Sequence, residues 1–298
     1  MKKVIIFAIA NVLLLGLAIG ASATPYVLYA NNYPGASPLY IVDQADGSLT
    51  QVSTGIGFNN IADLTSDTRL SSARLWGNSI IQDNIVPDKF DSTLVEIDPL
   101  TGFFKSSIAM DQPIVSLAFD VNTGVLYGNT SVGFGAPFET LYSIDPSDGS
   151  TTEIGRITFN NVFALAFDNS GTLYGVSDST NKLISIDLVT GNGQDIATIA
   201  SPGPSGLFAY DIASHPIDDV MFLVDSGTRS LYTLDTTNGT LGLVGQYSPL
   251  GSGVFPNNLV GLAFMPDLAP IPEPSTLLLL GMGLLGLMGL SRRKYKAR

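Results

Sequence analysis

Hydrophobic and polar positions follow three regimes along this chain of 298 residues. Val4–Gly20 is a nearly unbroken apolar run, residues 24–268 carry apolar residues in short alternating bursts, and Leu277–Leu290 is apolar again. The bursts of the middle regime have the period of two that half-buried strands require, and none has the three-and-four spacing of an amphipathic helix. The clearest, Leu141-Tyr142-Ser143-Ile144, runs into Asp145-Pro146-Ser147-Asp148-Gly149 and resumes at Ser150-Thr151-Thr152-Glu153-Ile154. This predicts a hairpin: the Asp side chain caps the turn, proline presets φ, and glycine supplies the positive φ that closes it.

The hairpin recurs at Asp43/Gly47, Asp98/Gly102, Asp187/Gly191 and Asp235/Gly239, so its five copies start at intervals of 55, 47, 42 and 48 residues. A second hairpin precedes most copies. Ser116–Gly128 matches Ala164–Gly175, and a degenerate form runs from Asp211 through His215 to Phe222. Two hairpins per unit make four short strands in about 45 residues, the anatomy of a propeller blade. The chain enters with only three strands (26–30, 39–43 and 49–52) and leaves with a lone fourth, Val260–Phe264. The expectation is an all-β, five-bladed propeller of four-stranded antiparallel blades, closed by pairing its two ends and so left without open edges. Within the innermost strands, Leu117 and Phe119, Leu165 and Phe167, and Leu262 and Phe264 alternate with Ala118, Ala166 and Ala263, while Ala213 holds the same small position in another blade. A large face of one blade then seats on the small face of the next. In blade form the body resembles the broad class of secreted propellers with lactonase-like or NHL-like repeats.

The ends read as addresses. Met1-Lys2-Lys3, the apolar run 4–20 and Ala21-Ser22-Ala23 make a secretory signal peptide, a helix exported by the Sec machinery and cut after Ala23 by signal peptidase. At the other end stand Pro272-Glu273-Pro274, the apolar run and the basic cluster Arg292, Arg293 and Lys294. This tail resembles the PEP-CTERM sorting signal of exported proteins from exopolysaccharide-producing Gram-negative bacteria, which implies processing by a membrane exosortase. As a helix, its 14 apolar residues span about 21 Å against a hydrocarbon core of about 30 Å, short for a permanent anchor. The basic cluster stays cytoplasmic by the positive-inside rule. The expected organisation is a signal peptide over 1–23, a propeller over 24–268 and a sorting signal with a hydrophobic helix over 269–298. The protein is tethered transiently to the inner membrane, then sent to the cell surface or beyond.

Composition narrows the chemistry. With no cysteine there is neither a disulfide framework nor thiol chemistry, so the body relies on its core. Residues 24–291 hold all 26 acidic residues against seven basic ones, a net charge of about −19 that excludes nucleic acid as a partner. His215, the single histidine, replaces a turn Asp and has only Asp218 and Asp219 of its own turn nearby, which reads as a structural residue. No His or Cys cluster exists for a transition metal. Acidic turns such as Asp145/Asp148 offer Ca²⁺ some oxygen ligands, but without a calcium-binding loop they read as turn caps.

One constellation remains. Asn pairs enter the innermost strands at Asn59-Asn60, Asn160-Asn161 and Asn257-Asn258, and Asp63 and Asp211 occupy inner-strand positions held elsewhere by Ser116, Ala164 or Gly261. Ring geometry is expected to bring Asn59, Asn160, Asn257, Asp63 and Asp211 around one mouth of the axial channel. Amides donate and accept together, as a hydroxyl-rich ligand requires, and two carboxylates add room for a cation. The plainer account is that Asn tolerates the left-handed turn at a strand entrance. The long loops 78–92 and 128–140 are expected on the same face, bringing Phe90, Phe134 and Phe138.

The expected function is thus non-enzymatic: an exported module binding the extracellular matrix or its exopolysaccharide. The alternative is a metal-dependent, lactonase-like hydrolase using Asp63 and Asp211. The two end signals generate a direct test. Mass spectrometry of the exported protein is expected to find a chain beginning near Thr24 and ending near Pro272. An intact Leu277–Leu290 peptide in secreted, detergent-free material would refute removal of the tail.

Overall fold

Twenty strands and a single 3-10 turn make up the regular structure of the computed structural model, which describes residues 26–69, 73–83, 89–203, 206–247 and 258–267. Both terminal helices and both processing signals expected from the sequence lie outside the described residues.

The first blade begins with β1 (Tyr26–Asn32), β2 (Leu39–Val42) and β3 (Leu49–Gln51). The second holds β4 (Ile61–Asp67), β5 (Arg74–Gln82), β6 (Phe90–Ile97) and β7 (Phe104–Met110). The third holds β8 (Ile114–Asp120), β9 (Val125–Thr130), β10 (Thr140–Ile144) and β11 (Thr151–Arg156). In the fourth are β12 (Val162–Phe167), β13 (Leu173–Ser177), β14 (Lys182–Ile186) and β15 (Gly193–Thr198). The fifth comprises β16 (Ala209–Ser214), β17 (Met221–Asp225), β18 (Ser230–Leu234) and β19 (Leu241–Gln246). The last strand, β20 (Leu259–Pro266), returns to the first blade as its innermost strand, antiparallel to β1 with Leu28 opposite Phe264 and Ala30 opposite Leu262. The five blades and the closure expected from the incomplete terminal units are therefore both present.

Blades pack large on small, as the inner-strand alternation requires. Ala118 shares a buried cluster with Leu165 and Phe167, Ala166 with Ile212, Ala213 with Leu262 and Phe264, and Ala263 with Leu64. Leu117 and Phe119 meet Trp76 of the second blade. Burying each large side chain contributes about 1.5–3 kcal/mol, and the contacts run around the whole ring.

The repeated turns have a second role at the blade boundaries. In each, the glycine N–H returns to the Asp carbonyl at 2.7–2.9 Å, as in Gly47 to Asp43 and Gly149 to Asp145. The Asp carboxylate caps the N–H two residues on, as Asp145 Oδ1 does for Ser147 at 2.8 Å. Gly149 has φ +78°, and a methyl built there would lie 2.2 Å from the Ala109 carbonyl oxygen on the outer strand of the preceding blade. Glycine is thus required both by φ and by the close approach of two backbones. Gly149→Ala is expected to destabilise the protein by about 1–3 kcal/mol or more. Gly35, with φ +111° and nothing within 4 Å of its missing Cβ, supplies the control, because Gly35→Ala pays only backbone strain. Equal melting temperatures for the two variants would refute the inter-blade role.

Candidate functional site

Equivalent residues of the five innermost strands form layers around the channel, and all five strands carry a bulge at the same place. The ladder slips between Ile61 and Asp63, Ile114 and Ser116, Val162 and Ala164, and Ala209 and Asp211. In β20 the matching slip leaves Val260 between Leu259 and Gly261 without a partner. A bulge re-aims the side chain of its extra residue. Here the five extra residues, Ala62, Val115, Phe163, Tyr210 and Val260, line one mouth of the channel together with Tyr33 and Phe134. They enclose a largely apolar cavity of about 210 Å³.

Three bulges are held from the preceding blade. Asn31 Nδ2 donates to the Ile61 carbonyl at 2.7 Å, Asn129 Nδ2 to that of Val162 at 2.9 Å, and Asn78 Nδ2 to that of Ile114. Sequence reasoning passed over these residues. Their signal was the Asn that ends Leu-Trp-Gly-Asn78 and Leu-Tyr-Gly-Asn129 where other blades have Val176 or Val224.

Immediately inside the mouth lies the layer Asp63, Ser116, Ala164, Asp211 and Gly261. Both carboxylates are fully buried. Asp63 Oδ2 accepts from the Leu117 N–H at 2.6 Å and the Ser116 hydroxyl at 2.8 Å, while Oδ1 accepts from the Leu64 N–H at 2.8 Å. Asp211 does likewise for the Leu262 N–H at 2.5 Å and the Ile212 N–H at 2.7 Å. Each Asp thus ties its own blade to the next. Each also stands where the blade before it offers Gly261 or Ala164, which have no polar side chain to reach the N–H of Leu64 or Ile212. The two carboxyl groups hydrogen-bond each other, and burial raises the pKa of both; the charge of Asp63 raises Asp211 further. One proton is therefore held between them well above the usual carboxylate range.

The expected site residues consequently separate by depth. Asn59 and Asn160 are exposed, each three residues before the bulged residue of its strand, and their carbonyls accept the hydroxyls of Ser79 and Ser177 at 2.7 Å. The second members of these pairs, Asn60 and Asn161, take the left-handed turn, with φ +57° and +52°. Asp63 and Asp211 meet each other within the wall, and Asn257 lies outside the described residues. The loop after β9 opens at this mouth: Phe134 sits edge-on to Phe90 and Phe163, with ring centres 5.2 and 6.1 Å away. Glu139 anchors that loop from within, accepting from the Ser131 hydroxyl and the Asn161 N–H, both at 2.8 Å. Phe138, on the exposed side, lies under the Arg156 guanidinium at 3.7 Å.

The opposite mouth holds a wider cavity of about 360 Å³, with Leu64, Leu165, Ile212 and Leu262 deep in it and Phe119, Phe167 and Phe264 on its walls. Its cation, Arg69, is clamped by Asp67 at 2.7 and 2.8 Å. His215 belongs to the turn beside it. Its Nδ1 lies 2.6 Å from Asp218 Oδ1, and its ring packs edge-on against Phe264 and Tyr26.

Residues 270–294 match the PEP-CTERM protein-sorting motif. The motif marks the chain as an exported protein processed by an exosortase. No curated protein matches the chain. Solved structures similar to it include the major allergen Mala s 1 of Malassezia sympodialis, at 14% identity and a TM-score of 0.48, covering 80% of this chain and 79% of that one. A protein of unknown function from Bacteroides thetaiotaomicron VPI-5482 has 13% identity and a TM-score of 0.41, over 73% of this chain and 64% of its own. Another, provisionally described as a 6-phosphogluconolactonase, from Bacteroides uniformis ATCC 8492, has 10% identity and a TM-score of 0.40, over 74% and 67%.

The acid pair generates a pH prediction. Its folded-state pKa values are raised, so the folded protein binds more protons than the unfolded chain above about pH 4, and stability falls as pH rises toward and past neutrality. Asp211→Asn keeps a neutral group there at every pH. The melting temperature of the parent is expected to decline more steeply than that of the variant between about pH 5 and pH 8. Parallel curves would refute the shared proton.

Proposed function

We propose that this exported propeller is a binding module of the cell surface or extracellular matrix, and that it holds a polysaccharide at the aromatic mouth. The observation that carries this reading is the set of five aligned bulges. They turn one residue of every blade toward a single opening, where Phe163 and Tyr210 join Tyr33 and Phe134. Sugar rings lay their C–H faces on aromatic rings, and their hydroxyls need partners that donate and accept. The exposed amides of Asn59 and Asn160, each three residues before a bulged residue, are the partners this reading assigns to those hydroxyls. A convergent apolar pocket with a few polar groups at its edge is the usual form of a ligand site.

Binding without turnover is the reading favoured over hydrolysis. Asp63 and Asp211 are the carboxylates a metal-assisted hydrolase would need, and their oxygens are occupied by N–H and O–H donors inside the wall.

Titration of the full chain in detergent with exopolysaccharide from the producing cell tests the site. Phe163→Ala and Tyr210→Ala are each expected to weaken binding by about tenfold, the loss of one stacked ring. Val189→Ala, at a fully different and exposed turn, is expected to leave binding unchanged. If all three variants bind like the parent, the aromatic mouth is not the site.

A further inference from the structure

The aromatic mouth carries an acidic flank. Asp225 pairs with Ala209, the residue before Tyr210, and Asp178 follows Ser177, which pairs with Val162, the residue before Phe163. The two carboxylates therefore approach Tyr210 from its own blade and from the neighbouring one. Burial first, then the charge of Asp178, raises the pKa of the Tyr210 hydroxyl, and Asp225 adds to the effect.

The two acids differ in their partners. Asp225 is fully engaged: Oδ1 accepts from the Phe208 N–H, and Oδ2 from the N–H and hydroxyl of Thr228, all at 2.7 Å. Asp178 has its backbone N–H on the Asn161 carbonyl at 3.0 Å, but its Oδ1 is buried without a hydrogen-bond partner. A buried carboxylate oxygen with no donor has lost its hydration and gained nothing in exchange. The nearby cation of the fourth blade, Lys182, is paired with Asp195 at 2.8 Å.

An aromatic enclosure beside an unmatched negative oxygen selects for positive charge. Ring faces attract ammonium groups, most strongly where water is excluded, and a carboxylate supplies the matching acceptor. Residues 24–291, at about −19, add a long-range field of the same sign. Resting on the reading of the mouth as a polysaccharide site, we propose that the sugar it selects carries a free amine. The hexose ring lies against Phe163 and Tyr210, and the ammonium group pairs with the half-buried Asp178 carboxylate at the edge of the mouth. N-acetylated sugars lose the charge that this arrangement recognises, and uronic acids are repelled by Asp178 and Asp225.

Three oligosaccharides of equal length and linkage separate the possibilities: a glucosamine oligomer with free amines, its N-acetylated counterpart and a glucose oligomer. Binding of each to the full chain in detergent is measured by calorimetry, alongside Asp178→Asn and Tyr210→Ala. The glucosamine oligomer is expected to bind the parent about tenfold or more tightly than the other two. Asp178→Asn is expected to abolish that preference while retaining the weaker binding common to all three. Equal affinity for the three oligomers would overturn the amine preference and leave the polysaccharide reading standing. Failure of every oligomer to bind would overturn both. A preference that survives in Asp178→Asn and Tyr210→Ala would reflect only the general acidity of the body, and the proposal would fall. A melting curve for each variant confirms that it is folded, and addition of the glucosamine oligomer is expected to raise the parent's melting temperature more than that of Asp178→Asn.

Discussion

The antiparallel pairing of β20 with β1 is the contact on which the rest depends. It converts a three-stranded opening unit and an isolated last strand into one blade, and with it a row of blades into a ring. An open row would present unpaired N–H and C=O groups at both ends, the usual template for aggregation. Closure also fixes the layers around the axis, since each innermost strand then has a neighbour on both sides. Residues far apart in the chain, such as Asp63 and Asp211, meet only because the ring is complete.

That meeting explains how two carboxylates come to be tolerated in the wall. Gly261 and Ala164 leave the N–H groups of Leu64 and Ile212 without a side-chain partner from the preceding blade. An Asp in each of the following blades accepts from that N–H with one oxygen and from the next blade with the other. The cost of burial is reduced further by a proton held between the two groups. The layer they form separates an aromatic mouth from a wider cavity lined by Leu, Ile and Phe, so the channel has two chemically distinct ends.

At the outer edge, the same economy of means recurs in the Asp-to-Gly turns. At Gly47, Gly149 and Gly191 the turn that closes a hairpin also rests against the outer strand of the preceding blade, where a Cβ would strike a carbonyl. Local turn chemistry and inter-blade packing thus make the same demand on one residue. Agreement between levels of this kind is what lets a repeated sequence specify a single arrangement.

The alternating bursts, the five Asp-to-Gly turns and the two incomplete terminal units are local signals, and by themselves they determined the strands, the blade count and the closing pair. The large-on-small packing was legible too, because Leu, Phe and Ala alternate within single strands. So was the sorting motif, whose order of elements needs no fold to be read. The depth of the candidate site was decided only in three dimensions. A period-two reading assumes an unbroken pleat, and one extra residue per innermost strand shifts every side chain beyond it to the other face. That shift brings Phe163 and Tyr210 into the mouth and places Asp63 and Asp211 within the wall, while Asn59 and Asn160 stay exposed. Three of the bulges are held by hydrogen bonds from Asn31, Asn78 and Asn129 of preceding blades, contacts that exist only once neighbouring blades have packed.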